Sequence, residues 1–209
     1  MTPFYRFSYN LVTFIMKSFF RLRVEGRENF PKTGPFMIVA NHVSYLDPPL
    51  VGILPDRQVF FMAKSELFKA PVVAPIIKGL GAFPVVRESA DMKAIRYSIS
   101  LLKEGKIVGI FPEGTRSETG DVQEGELGIA LLVKQAKVPL VPCHLNGTYH
   151  PVHFKGIIPV FNRVTVTVGR PMTFDESIEG STGKEKMKNF TAMVMNQLKQ
   201  LGENQITTR

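Results

Sequence analysis

The chain has 209 residues, 44% of them hydrophobic, and a formal net charge of +8. That length suits one domain with a sizeable core, and the apolar content with ordinary glycine and proline excludes a disordered chain. The positive charge favours an anionic partner such as an anionic bilayer or an acidic carrier protein; nucleic acid is the least supported, since no binding motif is present and the basic residues are scattered.

Residues 1–20 are an aromatic and aliphatic segment, from Phe4 to Phe20, interleaved with Arg6 and Lys17 and followed by Arg21 and Arg23. Its uncharged run, Phe7 to Met16, is too short to cross a bilayer, which takes about 20 apolar residues. It suits an amphipathic helix at the membrane interface, where aromatics and basic residues are favoured, or a helix whose apolar side packs on the domain. No secretory cleavage pattern follows, so the segment reads as retained. Residues 21–209 read as a single domain.

Strands and helices then alternate. Phe36 to Ala40 is an apolar run of buried-strand character, and Asp47-Pro48 reads as the N-cap and first position of a helix. Val59 to Ala63 is a further apolar run, with Lys64 at its end, and Phe83 to Val86 is a strand followed by Arg87. Met92, Ile95, Ile99 and Leu102 fall on one helical face, which Gly105 ends. Lys106 to Phe111 is a strand, Leu127 to Ala136 a helix and Val138 to Leu145 an apolar run. Val164 to Val168 is a late strand, and Met187, Phe190, Val194, Leu198 and Leu201 line a C-terminal helix. The order predicts an α/β domain with a mostly parallel or mixed central sheet flanked by helices.

Cys143, the single cysteine, cannot pair within the chain and reads as a buried small hydrophobe in a reducing compartment. Asn146-Gly147-Thr148 reads as a turn. His42, His144, His150 and His153 have no zinc-ligand spacing, and no metal is expected. Pro151 between the last two argues for a loop there.

Two strand ends carry chemistry. His42 and Asp47 follow the Phe36 to Ala40 strand. Five residues on an unbroken helix would leave these side chains roughly 140° apart, so they meet only across a turn. Such a turn puts a histidine, the side chain suited to accept a proton near neutral pH, at a strand's carboxyl end beside a carboxylate that can fix its tautomer. A capped turn with an incidental surface histidine fits the same letters. After the Lys106 to Phe111 strand comes Pro112-Glu113-Gly114-Thr115-Arg116-Ser117, where a glycine permits close backbone approach and an arginine can grip a phosphate with two hydrogen bonds. A solvated loop with a local ion pair fits that segment as well.

The His-x-x-x-x-Asp element at His42 and Asp47 and the Phe111 to Ser117 segment together resemble the first and third motifs of the glycerolipid acyltransferases, in particular the 1-acylglycerol-3-phosphate acyltransferases. Gly81 to Arg87 is similar to the family's second motif and Val138 to Pro142 to its fourth; the resemblance runs over roughly residues 20 to 170. It implies that residues 21–209 are an acyltransferase domain that acylates the sn-2 hydroxyl of 1-acylglycerol 3-phosphate to give phosphatidic acid. His42 would be the general base and Asp47 its orienting partner, with no covalent acyl-enzyme. Arg87 and Arg116 would bind the phosphate, Glu113, Gly114 and Thr115 would shape the glycerol site, and Lys64 is a further cation at a strand end. Backbone N–H groups at and around Gly114 are candidate oxyanion donors. The implied co-substrate is acyl-CoA or acyl carrier protein, with no other cofactor, and the implied location is the cytoplasmic face of a membrane, peripheral or monotopic. The acidic segment Asp121 to Glu126 stands where many members carry a basic residue, which keeps another lysolipid acceptor open. A catalytically silent membrane-binding module is the alternative from a different class.

Overall fold

The computed structural model describes residues 1–86, 91–155 and 158–206. Helix α1, Pro3–Ser18, starts where Thr2 Oγ1 accepts the Tyr5 N–H at 3.1 Å and Pro3 occupies the first turn, a position with no need for its missing N–H. Strands β1 (Arg23–Glu25) and β2 (Phe36–Ala40) follow, then the short helix α2 (Asp47–Gly52) and β3 (Val59–Lys64). A 3-10 turn, Ser65–Lys69, and helix α3, Val73–Gly79, lead to β4 (Ala82–Val85). Helix α4 (Met92–Lys103), β5 (Ile107–Ile110), α5 (Gly128–Ala136) and β6 (Leu140–Asn146) continue the alternation. The hairpin β7–β8 (Val152–Lys155, Ile158–Phe161), β9 (Thr165–Val168) and α6 (Gly183–Ile206) complete it.

Seven strands form one sheet in the order β1-β9-β6-β2-β5-β3-β4, parallel throughout except for the β6–β9 pair. The α/β fold with a mixed sheet is therefore as expected. β2 lies at its centre, which is why its five residues are apolar without alternation: each is buried on one face or the other. Phe36, Ile38 and Ala40 join the core beneath α1 and α2, whereas Met37 and Val39 join the core beneath α4, α5 and α6. Phe190, Val194, Leu198 and Leu201 of α6 are buried, while on α4 the buried set is Ala94, Ser98, Ile99, Leu101 and Leu102, with Met92 exposed.

α1 carries two apolar faces. Tyr5 and Met16 are buried against the domain, and the Tyr5 hydroxyl donates to Gly52 O at 2.9 Å while accepting the Val59 N–H at 3.1 Å. Phe4, Phe7, Leu11 and Phe14 form a second stripe that faces outward. At 100° per residue the two stripes are roughly 150° apart.

Two local expectations change and two hold. His153 lies in β7 of the hairpin rather than in a loop; strands of four residues next to Pro151 carry too little alternation to read. Asp47 is the first residue of α2 and not its N-cap, which is Leu46 and makes no side-chain cap. Asn146 ends β6 and Gly147 turns with φ of 86°, so the turn reading of that triplet holds, and Cys143 is buried as expected.

Candidate active site

The carboxyl ends of β2 and β5 are neighbours in the parallel register Met37↔Val108, and they deliver the two motifs to one edge. Beyond β2 the chain turns sharply, and Asp47 holds the turn. Its Oδ2 accepts the Val43 and Ser44 N–H groups at 2.7 Å each and meets His42 Nδ1 at 2.9 Å. These three groups lie behind the helix start, which is the reason the carboxylate caps the preceding turn instead of α2. Asp47 is fully buried, its Oδ1 has no partner, and the His42 side chain is 11% exposed. An anion at Nδ1 fixes the proton there in the neutral ring, leaving Nε2 with a free lone pair.

Two further supports were not legible from the motifs. The Phe111 ring stacks on the imidazole at 4.2 Å and 23°, and Phe61 in turn lies 6.1 Å from Phe111. Gly109 makes room for this ladder, since a Cβ there would stand 2.3 Å from Phe61 Cε1. Strand parity is the signal that could have found it: residues 107, 109 and 111 share a face with 36, 38, 40 and 42. Asn41 extends the β2–β6 ladder with its side chain, donating to Leu145 O at 3.0 Å and accepting the Leu145 N–H at 2.7 Å.

From β5, Glu113 is buried and its two oxygens accept the backbone N–H groups of His42 and Gln123, both at 3.3 Å. Burial pushes its carboxyl up to about 7; the two N–H groups oppose the shift and the Asp47 charge adds to it. The Ser117 N–H donates to His42 O at 2.7 Å, and the Glu126 N–H to Pro112 O at 2.9 Å. The acidic segment after the third motif thus touches the site through its backbone.

Gly114, at φ of 68°, gives its N–H to Phe111 O at 3.2 Å and has the Glu126 carboxylate against its Cα. It is a turn residue, so its expected role as oxyanion donor does not hold. The N–H groups of Thr115 and Arg116 enter no hydrogen bond among the described residues. Thr115 is exposed, as is Arg116, whose guanidinium lies 3.6 Å from the centre of the Tyr45 ring and donates to the Tyr45 hydroxyl at 2.9 Å. No ion pair among the described residues uses Arg116. A polar cleft of about 580 Å³ opens beside it, lined by Val43, Thr115, Arg116, Ser117, Glu118 and Tyr149. Lys64 ends β3 on the same edge, exposed and 3.9 Å from Glu66. Arg87 lies outside the described residues, and no group of metal-ligating side chains occurs among those described.

A histidine held by a buried carboxylate at a sheet edge, with an arginine free of ion pairs among the described residues alongside, has the parts that a group-transfer enzyme acting on a hydroxyl would need. The acyltransferase family model matches residues 21–146, and the chain belongs to that family. It is 34% identical to a Bacillus subtilis protein named 1-acyl-sn-glycerol-3-phosphate acyltransferase, over 97% of this chain and 98% of that one. A Homo sapiens relative, 1-acyl-sn-glycerol-3-phosphate acyltransferase beta, is 35% identical over 60% of this chain and 47% of its own. The crystal structure of the 1-acyl-sn-glycerophosphate acyltransferase of Thermotoga maritima superposes with a TM-score of 0.71 at 30% identity, over 97% of this chain and 78% of that one.

Proposed function

We propose that this protein transfers an acyl group from an acyl thioester, carried by coenzyme A or acyl carrier protein, to the sn-2 hydroxyl of 1-acylglycerol 3-phosphate, giving phosphatidic acid. The observation that carries the reading is the His42–Asp47 pair beside the unpaired Arg116, on the edge formed by the two motifs. The relatives' names support the acceptor.

In this reading His42 Nε2 takes the hydroxyl proton as the oxygen attacks the thioester carbonyl, and Asp47 stabilises the imidazolium that forms. The tetrahedral intermediate then expels the thiolate, which recovers the proton from His42, so no acyl-enzyme is needed. Arg116, with Arg87, holds the acceptor phosphate, and Lys64 adds positive charge along the edge. Thr115 lines the glycerol site, and its N–H with that of Arg116 is free to meet the oxyanion. Glu113 shapes the site from behind, since both its oxygens hold backbone, and Gly114 does so through its turn.

The acceptor is amphiphilic, so the enzyme works at a membrane surface as a peripheral or monotopic protein on the cytoplasmic face. No helix among the described residues is long and apolar enough to cross a membrane. The outward stripe of α1 with Arg6 and Lys17 docks on anionic lipid. Purified protein offered a panel of lysolipids with thioester donors tests the acceptor, and His42→Ala tests the base: turnover falls by at least about a hundredfold with the fold intact. Near-normal turnover in that variant refutes the mechanism.

A further inference from the structure

α1 crosses one face of the sheet from its amino edge to its carboxyl edge. The Tyr5 hydroxyl is bonded where β3 begins, whereas Phe20 O, just past the helix, accepts the Val164 N–H beside the end of β6, on the edge where β2 and β5 end and His42 and Glu113 lie.

The segment between β3 and β4 runs between the same two edges. It leaves the carboxyl edge at Lys64, and at its far end Phe4 packs on Gly79, where a Cβ would stand 2.8 Å from the Phe4 ring. Ala70 to Ile77 is an unbroken run of eight apolar residues, yet within α3 only Ala74 is buried. Val72 is 71% exposed, and Val73 and Ile76 are exposed beside it. A soluble surface does not carry such a run without something to cover it. The run is continuous with the outer stripe of α1 across a groove of about 770 Å³ shared by Phe4, Pro75, Ile76 and Gly79, with Lys78 and Lys106 also in its lining. Lys64, Lys69 and Lys78 flank it, against the single acid Glu66.

We infer that the segment from Ser65 to Gly79 is a second lipid-facing element, which rests on an anionic bilayer and joins the α1 contact to the mouth of the cleft. The inference builds on the membrane reading above and assigns it a second, separate surface. Apolar residues enter the interfacial layer, the lysines meet anionic headgroups, and an acceptor moving in the layer passes along this segment to His42.

The chain has no tryptophan, so Val72→Trp and Phe14→Trp each create a single fluorescent reporter, one on this segment and one on α1. Both positions are exposed, and neither substitution disturbs the core. With phosphatidylcholine vesicles containing phosphatidylglycerol, both emissions shift to the blue and brominated acyl chains quench them. Val72→Glu and Ile76→Glu each weaken partitioning onto these vesicles by roughly tenfold, equivalent to about 1.4 kcal/mol, with the thermal midpoint unchanged. Emission from Val72→Trp that stays unshifted while that of Phe14→Trp moves overturns the inference and leaves α1 docking in place. Neither emission moving overturns the membrane reading itself. A dimer in lipid-free solution that Val72→Glu dissociates makes the run a contact between two copies of the chain, and that too overturns it.

Discussion

Asp47→Asn separates the charge of the carboxylate from its shape. The amide oxygen can take the place of Oδ2 and still accept the Val43 and Ser44 N–H groups and the Nδ1 proton. Under the proposed mechanism, what is lost is the negative charge that stabilises the imidazolium as the proton arrives. A charge-assisted hydrogen bond is worth about 1.5–3 kcal/mol, or roughly 10- to 150-fold in turnover at 1.36 kcal/mol per decade. The amide also puts an NH₂ group at the Oδ1 position, which is buried and has no partner. That unmet donor costs about 1–3 kcal/mol of stability, and for a chain of this size each kcal/mol lowers the thermal midpoint by about 2–4 °C. Steady-state turnover at saturating acceptor, measured below the midpoint alongside a melting curve, reads both effects. Turnover within about threefold of wild type in a folded Asn variant would refute the pairing of Asp47 with a proton-accepting His42.

Arg116→Ala raises the apparent acceptor Michaelis constant, with a loss of about 1.5–3 kcal/mol in kcat/KM, and Arg116→Lys restores only part because an ammonium does not reproduce the planar fork; unchanged acceptor dependence in both variants moves the phosphate site elsewhere. A buried carboxyl and a half-buried imidazole oppose each other in the pH dependence of stability. Glu113 rises from 4.5 to about 7 in the folded state, so its contribution is complete below 4.5 and is lost as pH rises to about 7. His144 falls from 6.5 to about 4 through burial, so its contribution is complete above 6.5 and is lost as pH falls to about 4. Glu113→Gln removes the first contribution and leaves a protein that loses stability on acidification below pH 6.5 more steeply than wild type; denaturant unfolding across this range checks it, and equal slopes in the two proteins refute it.

β2 and β5 were legible because central parallel strands bury both faces and so appear as apolar runs closed by polar residues. Which strands pair was not: nothing local in Arg23–Glu25 or Thr165–Val168 announces that β1 and β9 lie side by side. The turn that brings His42 to Asp47 followed from spacing alone. The direction of the Asp47 carboxylate did not, because helix-start rules weigh the N–H groups ahead of an aspartate and here the competing donors stand behind it. Gly114 was legible as a glycine that permits close backbone approach, but its N–H was offered as an oxyanion donor without a tally of the turn's own hydrogen bonds. Phe111 and Asn41 act through contacts with residues far away in the chain, and a motif read letter by letter passes over them.

The central place of β2 has a consequence for the newly made chain. The His42–Asp47 turn is local and can close as soon as residue 47 has emerged, but the clamp from Glu113 reaches across 71 positions and the Asn41 bridge to Leu145 across 104. Both strands that flank β2 are synthesised after it, so its apolar faces wait beside open ladder edges while more than half of the chain is added. Until Phe111 and Arg116 are added, His42 has its partner but neither the ring behind it nor the arginine next to it. Chains broken off before β5 would therefore carry the pair without activity and expose an unpaired apolar strand, which makes them candidates for aggregation and not for premature acyl transfer.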